Sequence, residues 1–466
     1  MTALVWLRQD LRLADNPALA AARGPVVLAF VLDDSGPWRP GAASRWWLHQ
    51  SLAALTADVN ARGGRVVLAR GDALTEIPRL ATMIGAQAVH WNRRWEPGEP
   101  EREAEMLRRL GEQGCQGRAF AADLLFEPGS VRTKTGGAFQ VFTPFWRAAL
   151  AAPPPTRPLP APQGFELPPS VPDGLPQDVL ALATLELMPA KPWWRTMAET
   201  WQPGEAGAAE RLANFLDTGL STYETRRDRP DCNGTSCLSP HLAFGEISPR
   251  QIWHAVQTRP PSAGADCFLK ELGWREFSHT LVAAFPKLQE QPLNPAFTAF
   301  PWNENRTAFN AWKQGRTGYP IVDAGMRQLW ATGWMHNRVR MIVGSFLVKD
   351  LLVPWQWGER WFWDTLVDAN VAANAASWQW VAGCGADAAP YFRVFNPVTQ
   401  GEKFDPAGHY VRRWLPELAG LPDQYVHKPW EAPPLLRAGL RYPPPMVDHA
   451  AARQAALSAY GRIKGR

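Results

Sequence analysis

Residues 368–380 read Asp-Ala-Asn-Val-Ala-Ala-Asn-Ala-Ala-Ser-Trp-Gln-Trp, a helical stretch whose first tryptophan is Trp378. Trp355 lies 23 residues before Trp378, and Trp302 lies 53 residues before Trp355. The indole ring is large, fills space well in a core and is readily oxidised. Packing is therefore the expected role of most of the 24 tryptophans in this chain. For Trp302, Trp355 and Trp378, a functional role is an alternative to packing.

The length and composition predict a globular protein with more than one domain. A chain of 466 residues is too long for one small core and should form two or three domains. Hydrophobic residues make up 46 % of the chain and charged residues 20 %, which is ordinary for a globular protein. The net charge of +5 is compatible with a polyanionic partner, although a basic balance alone is weak support for one.

The cysteines and the N-terminus predict a cytoplasmic protein. The five cysteines are odd in number and include no C-x-x-C pair, which favours free thiols in a reducing compartment over disulfides or a zinc site. Arg8, Asp10 and Arg12 come too early for a secretory signal peptide. No uncharged apolar stretch reaches about 18 residues, so we expect no membrane span.

Residues 1–130 alternate between short apolar runs and amphipathic segments, which predicts an α/β domain with a parallel, Rossmann-like sheet. Amphipathic helices are expected at 43–61 and 99–111, and Asp15-Asn16-Pro17 is typical of a helix start. The strands are expected at 3–7, 26–32, 65–69, 88–91 and, more weakly, 118–121.

A linker and a helical domain are expected after the sheet. Residues 131–204 are predicted to be a long Pro-rich interdomain linker, since 153–162 read Pro-Pro-Pro-Thr-Arg-Pro-Leu-Pro-Ala-Pro, a stiff and extended composition. This PxxP spacing also fits the ligand of an adaptor domain, but a plain linker is favoured. Residues 205–466 are predicted to be all-α, because helical periodicity recurs there and strand-like alternation is scarce.

The segment Gly234-Thr-Ser-Cys-Leu-Ser-Pro240 is a candidate phosphate-binding loop. Hydroxyl groups and free backbone N–H groups at a helix start suit a diphosphate. The same residue types are typical of an ordinary helix N-cap, which on this spacing alone is the commoner interpretation.

The segment Phe268-Leu-Lys-Glu-Leu-Gly-Trp-Arg-Glu-Phe277 places Glu271 and Trp274 three residues apart, so a helix would present both on one face. A packed helix with a surface ion pair is the plainer interpretation of this segment alone. No His or Cys spacing indicates a metal site. Gly383-x-Gly385-x-x-Ala388 fits the dinucleotide fingerprint, but it follows a helical stretch instead of a strand, so we reject it.

Together these segments resemble the photolyase/cryptochrome family of flavoproteins. Within that family they resemble the bacterial photolyases that act on cyclobutane pyrimidine dimers. The resemblance begins at residues 6–17 and is densest over 221–418, where it includes Thr317-Gly-Tyr-Pro-Ile-Val-Asp-Ala-Gly-Met-Arg-Gln-Leu329 and residues 333–341. It implies that the all-α domain binds FAD and that the protein acts on damaged DNA. The Pro-rich segment is not covered by the resemblance.

The resemblance also implies roles for individual residues. Glu271 would hydrogen-bond a thymine carbonyl as a neutral donor, because an apolar pocket raises the pKa of a carboxyl group. Arg340 would pair with Asp368 beside the flavin. FAD contacts are expected from Tyr223, Thr235, Ser236, Cys237, Leu238, Ser239, Phe268, Arg275, Arg340, Asp368, Ala369, Asn370 and Asn374. DNA contacts are expected from Arg226, Glu271, Trp274, Arg275, Asn337, Arg338, Met341, Trp380, Gln400 and Lys403.

The spacing of Trp302, Trp355 and Trp378 resembles that of the electron-relay tryptophans of this family. By resemblance, Trp378, Trp355 and Trp302 would follow one another outward from the flavin and serve the photoreduction of oxidised FAD. They would not be needed for turnover once FAD is reduced.

Two positions distinguish subtypes within the family. Asn374 stands where the resemblance places a residue facing the flavin ring nitrogen that changes protonation. Plant cryptochromes resemble this run but carry aspartate there, so asparagine favours repair over signalling. Photolyases for the (6-4) lesion place a second histidine after the first, whereas His336 is followed by Asn337, which favours cyclobutane dimers.

Two departures from the family leave alternatives open. Asn370 stands where an aspartate is usual, which removes a negative charge beside the flavin. Gly98 stands where folate-binding relatives usually have asparagine, and Glu99 is the candidate contact for an antenna chromophore. Methenyltetrahydrofolate, a deazaflavin and an empty antenna site all remain open.

Three hypotheses for function follow from the sequence. The favoured one is a monomeric, light-driven lyase that flips a pyrimidine dimer out of damaged DNA and repairs it with reduced FAD. The second is a cryptochrome-type blue-light photoreceptor, which keeps FAD without repair. The third is a light-independent nucleic-acid-binding protein with a structural flavin, and the intact tryptophan spacing counts against it.

Overall fold

The structure, a computed structural model, describes residues 1–36, 38–171, 181–388 and 392–464. Its first domain is a five-stranded parallel sheet with the strand order β3-β2-β1-β4-β5. The strands are β1 (Ala3–Leu7), β2 (Val26–Leu32), β3 (Val66–Arg70), β4 (Ala88–Asn92) and β5 (Gln116–Phe120). The helices of this domain are α1 (Pro17–Ala20), α2 (Ala42–Ala61), α3 (Ala73–Met83) and α4 (Glu99–Glu112).

Burial explains why this part of the chain forms a parallel sheet. Every residue of β1 and β2 is buried, as expected for strands covered by helices on both faces. β5 lies at the edge of the sheet and is largely exposed, so its apolar pattern is weak and the predicted strand 118–121 starts two residues late. The predicted helix start is confirmed, because the Asn16 side chain accepts a hydrogen bond from the Leu19 N–H at 3.1 Å.

The segment between the two domains differs from the plain linker that is predicted for 131–204. It contains α5 (Phe142–Ala151), on which Phe142 and Trp146 are buried within the core of the helical domain, and the short helix α6 (Arg195–Thr200). Phe142 and Trp146 are four residues apart, so they form one apolar face that needs a partner. The Pro-rich residues 153–162 lack regular secondary structure, and residues 172–180 lie outside the described part of the chain.

The second domain is helical, as predicted. Its α-helices are α7 (Glu205–Thr218), α8 (Tyr223–Arg226), α9 (Ser239–Ala243), α10 (Pro249–Gln257), α11 (Ala263–Ala284), α12 (Arg306–Lys313), α13 (Pro320–Thr332), α14 (Asn337–Ser345), α15 (Trp355–Thr365), α16 (Val371–Ala382), α17 (Pro397–Phe404), α18 (His409–Trp414), α19 (Asp423–Val426), α20 (Pro434–Arg437) and α21 (His449–Ile463). A π-helical turn at Phe346–Asp350 continues α14, and 3₁₀ turns lie at Leu182–Leu185, Leu220–Thr222, Pro295–Ala299, Pro416–Leu418 and Pro429–Glu431.

Buried hydrogen bonds join the two domains. The carboxylate of Glu276 on α11 accepts from the backbone N–H groups of Leu125 and Phe126 at 2.8 and 3.1 Å. Arg12 donates to the Gly245 carbonyl at 2.9 Å. Both charged groups are almost fully buried, so removing either partner would leave an unsatisfied polar group in the interface. Within the described ranges, no helix combines the length and the apolarity that crossing a membrane requires.

Candidate functional site

The loop that ends at α9 has the features of a phosphate cradle. Cys237 has a backbone φ of +52°, an unusual conformation for a residue with a side chain. Within the described part of the chain, no acceptor pairs with the backbone N–H groups of Thr235, Ser236 or Cys237. Unpaired N–H groups beside two hydroxyl side chains fit the diphosphate of a dinucleotide cofactor.

Ser239, Asp368 and Arg340 form a hydrogen-bonded network next to this loop. The Ser239 hydroxyl and the Arg340 guanidinium each donate to Asp368 Oδ2 at 2.7 Å, so the predicted Arg340–Asp368 ion pair is present. A second Arg340 nitrogen donates to the Met335 carbonyl at 2.7 Å. The other oxygen of Asp368 is buried without a partner in the described residues. Because a buried acceptor is seldom left unpaired, this oxygen suits a donor supplied by a ligand.

Asn370 stands at the start of α16, and Asn374 follows one turn later on the same face of the helix. The Asn370 side chain accepts from the Ala373 N–H at 3.0 Å and caps the helix. Asparagine and aspartate cap helices about equally well, so the departure at residue 370 preserves this structural role. Asn374 is buried, and its Nδ2 donates to the Glu359 carbonyl at 3.0 Å. The Asn374 Oδ1 is therefore left to accept from a ligand.

Glu359 is a buried acid on α15, one turn after Trp355, and its backbone carbonyl bonds Asn374. Its side chain is 1 % exposed, and its Oε1 has no partner among the described residues. Burial raises the pKa of Glu359 to about 8, while Arg360 opposes the shift. The carboxyl group is thus neutral in the folded protein over most of the physiological range.

This raised pKa predicts a pH-dependent difference between Glu359→Gln and the unchanged protein. Between about pH 4.5 and pH 8, the folded protein keeps a proton on Glu359 that the unfolded chain releases. Stability therefore falls as pH rises through this window, by at most about 1.4 kcal/mol per pH unit. Glutamine cannot ionise, so the variant should gain stability relative to the unchanged protein across the window. Thermal unfolding at both ends of the window, with exposed Glu101→Gln as control, measures the difference. The prediction is wrong if the unfolding midpoint changes equally between the two pH values in Glu359→Gln and in the unchanged protein.

Tyr223, Phe268, Arg227 and Glu271 form a second group of contacts between α8 and α11. The rings of Tyr223 and Phe268 are both buried, with centroids 5.3 Å apart. The Arg227 guanidinium is ion-paired with Glu271 and lies 5.5 Å from the Tyr223 ring centroid. Arg227 is half-buried, whereas the predicted DNA contact Arg226 points to the exposed surface. The sequence predicts a contact from Arg226 and none from Arg227. The two residues are adjacent, so only the direction in which each side chain leaves the short helix α8 distinguishes them.

Glu271 and Trp274 lie on one face of α11, as predicted. Burial raises the pKa of Glu271 above its ordinary value, against the opposing effect of Arg227. The Trp274 indole is half-buried and stacks on the Phe142 ring, with centroids 3.9 Å apart and planes inclined by 9°. The group thus combines a carboxyl group that favours its neutral form, a guanidinium and an aromatic platform.

Arg275, predicted to contact both FAD and DNA, is engaged elsewhere. Its guanidinium donates to the Asp123 carbonyl at 2.7 Å and lies 3.3 Å from the Glu276 carboxylate. Because Asp123 belongs to the segment that follows β5, Arg275 is engaged in the contact between the domains. Both expected roles of Arg275, with the cofactor and with DNA, therefore lack support from its position.

The remaining candidates for DNA contact lie on α14, α16 and α17. Arg338 Nη2 is 2.6 Å from Asp228 Oδ2, and its guanidinium lies 4.5 Å from the centre of the Phe404 ring. The Arg338–Phe404 contact joins α14 to α17, and the exposed Lys403 of α17 lies 5.0 Å from the centre of the same ring. The other candidates are exposed or half-exposed: Asn337, Met341, Trp380 and Gln400.

Trp378, Trp355 and Trp302 all belong to the main hydrophobic cluster of the helical domain. Trp378 packs directly on Gly358 of α15, where a Cβ atom would lie 2.1 Å from the indole ring, so only glycine allows this contact. Trp378 and Trp355 are buried, and Trp302 is partly exposed beside Phe300. The burial pattern separates Trp302 from the other two, and the relay order stays a prediction.

Glu99, the candidate antenna contact, is engaged within the first domain. Arg8 pairs with Glu99 at 2.8 Å and with Glu103 at 2.6 Å. Gly98 precedes α4 with a φ of +88°, a left-handed conformation that glycine and asparagine tolerate best. Glycine at this position therefore keeps the backbone turn but supplies no side chain to a chromophore.

Comparisons with known proteins agree with this geometry. Residues 3–163 match the family model described as DNA photolyase, and residues 268–462 match the one described as the FAD binding domain of DNA photolyase. A deoxyribodipyrimidine photo-lyase of Agrobacterium fabrum is 48 % identical over 99 % of this chain and 98 % of its own length. Cryptochrome-1 of Arabidopsis thaliana is 40 % identical over 97 % of this chain and 69 % of its own length.

The solved structures show the same relationship. The crystal structure of a bacterial class III photolyase from Agrobacterium tumefaciens superposes with a TM-score of 0.94 and 48 % sequence identity. The match covers all of this chain and 98 % of that one. With both family models matched and relatives aligned from end to end, the chain belongs to the DNA photolyase family and carries that family's FAD-binding domain.

Proposed function

We propose that this protein is a deoxyribodipyrimidine photo-lyase, an enzyme that repairs cyclobutane pyrimidine dimers in DNA in a light-dependent reaction with FAD. The observation that carries the proposal is the placement of Glu271 and Trp274 on one face of α11 with Arg227 beside them. A group of this kind can pack against an uncharged pyrimidine dimer and donate to its carbonyl oxygen. The photo-lyase relatives support the same reaction class.

The residues of the first group would hold FAD. The loop 235–239 fits the diphosphate, and Arg340 with Asp368 supplies both a donor and the buried, unpaired acceptor oxygen. Asn374 offers Oδ1 to a ring N–H group, because its Nδ2 is held by the Glu359 carbonyl. When bound and reduced, FAD supplies the light-driven electron that opens the dimer and that afterwards returns.

The residues of the second group would hold the lesion and stabilise its charge. Trp274 provides a flat apolar surface for the bases. Burial raises the pKa of Glu271 and so favours its neutral form, in which the carboxyl group can donate to a thymine carbonyl that becomes negative. Arg227 holds the Glu271 side chain in place and adds a positive charge on the same side.

Recognition of the DNA backbone is assigned to Arg338, Gln400 and Lys403 on the neighbouring helices. Neutralising phosphates releases counterions, so affinity should decrease with salt. The lesion would enter the site as a flipped-out dinucleotide, which is less costly at a damaged, weakly paired step. We further propose that the protein acts as a monomer in the reducing cytoplasm, associated with the nucleoid while on DNA, in line with its five free cysteines.

The three tryptophans are assigned to the activation of FAD and not to repair itself. Trp378 would pass an electron towards the flavin, and Trp355 would then reduce the oxidised Trp378. The partly exposed Trp302 would exchange electrons with a reductant in solution. Large, tightly packed indoles suit such a path, because they hold fixed positions and are readily oxidised. The antenna chromophore, whether methenyltetrahydrofolate or a deazaflavin, stays open in this proposal.

A cryptochrome-type photoreceptor is the second candidate, favoured by the similarity to plant cryptochrome. The amide at Asn374 argues against it, since an amide offers no acidic proton to a flavin radical. Glu271 and Trp274 also have no evident use in a protein that binds no lesion.

An oligonucleotide that carries a single thymine dimer separates these functions. The protein, with its flavin reduced, is incubated with this oligonucleotide in blue light and in the dark, and intact thymines are quantified. A photo-lyase restores thymines only in the light. Binding of the lesion without restoration, with the flavin verified as reduced, would overturn the proposal, and the photoreceptor would then be the better interpretation.

A further inference from the structure

Helix α5, which lies in the segment between the domains, contacts the candidate lesion site. Its Phe142 is 7 % exposed, and its ring stacks on the Trp274 indole with centroids 3.9 Å apart. Phe142 therefore covers one face of Trp274, while Phe277 meets the indole edge at 5.8 Å. Trp274 is only half-buried, so the part of the indole that these rings leave uncovered is available to a base.

The position of Phe142 is fixed by the packing of α5 on α11. A Cβ atom on Gly273 would lie 2.5 Å from the Trp146 ring, so the glycine lets the two helices approach closely beside Trp274. Phe142 also stacks on Trp146 at 6.2 Å and meets Phe277 at 6.0 Å. Protein cores are densely packed, so a ring held on several sides has one position.

A second element holds the start of α5 from the other side of the site. Burial raises the pKa of Asp387, in the loop after α16, and the nearby Phe142 backbone N–H opposes this shift. The Asp387 N–H in turn donates to the Gln140 carbonyl at 3.0 Å. Asp387 has a φ of +57°, a conformation that persists only where the surroundings impose it. This bond connects the segment just before α5 to the loop after α16, the helix that carries Asn374 and Trp378.

We propose that Phe142 is a positioning residue for the lesion, which orients Trp274 by stacking on one face and leaves the other face for the flipped bases. The proposal rests on the proposed function. It assigns part of the lesion site to the interdomain segment, which the backbone of Asp387 holds at Gln140, just before Phe142. Phe142 touches Trp274 and not the reacting atoms, so its effect is on binding.

The test compares Phe142→Leu with Phe145→Leu, a matched change in the same helix. Phe145 is fully buried and contacts Phe277 and Phe139, with no stacking on Trp274 among its ring contacts in the described residues. The holoenzymes are compared in the dark by Kd for an oligonucleotide with one thymine dimer and for its undamaged counterpart. Repair per bound dimer in the light, FAD content and the midpoint of thermal unfolding are measured on the same samples.

Phe142→Leu should weaken dimer binding about two- to tenfold, the range expected for losing one aromatic stack. Its affinity for undamaged DNA and its FAD content should be unchanged. Phe142→Tyr, which keeps the stack, should restore dimer binding, and Phe142→Leu should have no further effect on Kd in a Trp274→Ala background. Phe145→Leu should lower the unfolding midpoint without a selective loss of dimer affinity.

Equal dimer affinity in Phe142→Leu and the unchanged protein would overturn this inference, and so would equal losses in both Leu variants. If Phe142→Leu does not fold, Phe142→Met, which fills similar space without a ring, replaces it, and unchanged dimer affinity in that variant would overturn the inference as well. Failure of the proposed function looks different, because the unchanged protein would then neither prefer the dimer in the dark nor repair it in the light.

Discussion

Glu271→Ala will lower the rate of dimer repair by about 10²-fold, the effect of removing one donor aimed at a developing negative charge. The alanine variant should keep its FAD, because Glu271 belongs to the Arg227 group and not to the Asp368 network. Repair of a thymine-dimer oligonucleotide by the chemically reduced variant, normalised to bound FAD, measures the effect. An unchanged repair rate would remove Glu271 from the mechanism.

Glu271→Gln is the matched control for this prediction. Glutamine is a neutral donor at any pH, so the variant should retain much more repair than alanine. In the unchanged protein the neutral form exists below the raised pKa of Glu271, and repair should decline as pH rises through that pKa. The glutamine variant should lack this decline. Equal losses in the Gln and Ala variants would show that the carboxyl group does not act as a donor.

Trp355→Phe will reduce the photoreduction of oxidised FAD to the background level, while repair by chemically reduced enzyme stays near that of the unchanged protein. Trp355 is 1 % exposed and lies between the buried Trp378 and the partly exposed Trp302 in the proposed path. Phenylalanine keeps an aromatic ring in the core but is much harder to oxidise. Flavin absorbance under continuous blue light with an added reductant gives the photoreduction rate.

Trp357→Phe provides the comparison on the same helix. Trp357 is half-buried and packs beneath Arg306, whose guanidinium lies 3.6 Å from the ring centre. It is outside the proposed path, so its replacement should leave photoreduction unchanged. The relay assignment is wrong if Trp357→Phe slows photoreduction as much as Trp355→Phe does, or if Trp355→Phe also loses repair after chemical reduction.

The fold could be predicted well wherever burial leaves a strong pattern. Strands β1 and β2 are buried at every position, and their predicted bounds agree with the structure. The predicted bounds of the edge strand β5 start two residues late, because its exposed side chains weaken the apolar pattern. The sequence pattern does not predict helix α5 within the proline-rich segment. Its partner α11 lies about 120 residues further along the chain, and local composition carries no information on such a distant contact.

The candidate site could be predicted in part. The Arg340–Asp368 pair and the shared face of Glu271 and Trp274 follow from motifs that the family resemblance covers. The distinction between Arg226 and Arg227 and the engagement of Arg275 with Asp123 depend on how side chains point in three dimensions. Neighbouring arginines look alike in a sequence, and only the packing of α8 and α11 separates them.

The content of bound flavin tests the central claim most directly. The protein as purified should carry FAD in an equimolar amount, visible in its absorbance spectrum and released on denaturation. Asp368→Ala should lose most of this FAD, because it removes the ion pair with Arg340 and the buried acceptor oxygen, whereas exposed Glu101→Gln should keep it. A protein that contains no flavin and takes none up from solution would contradict the account.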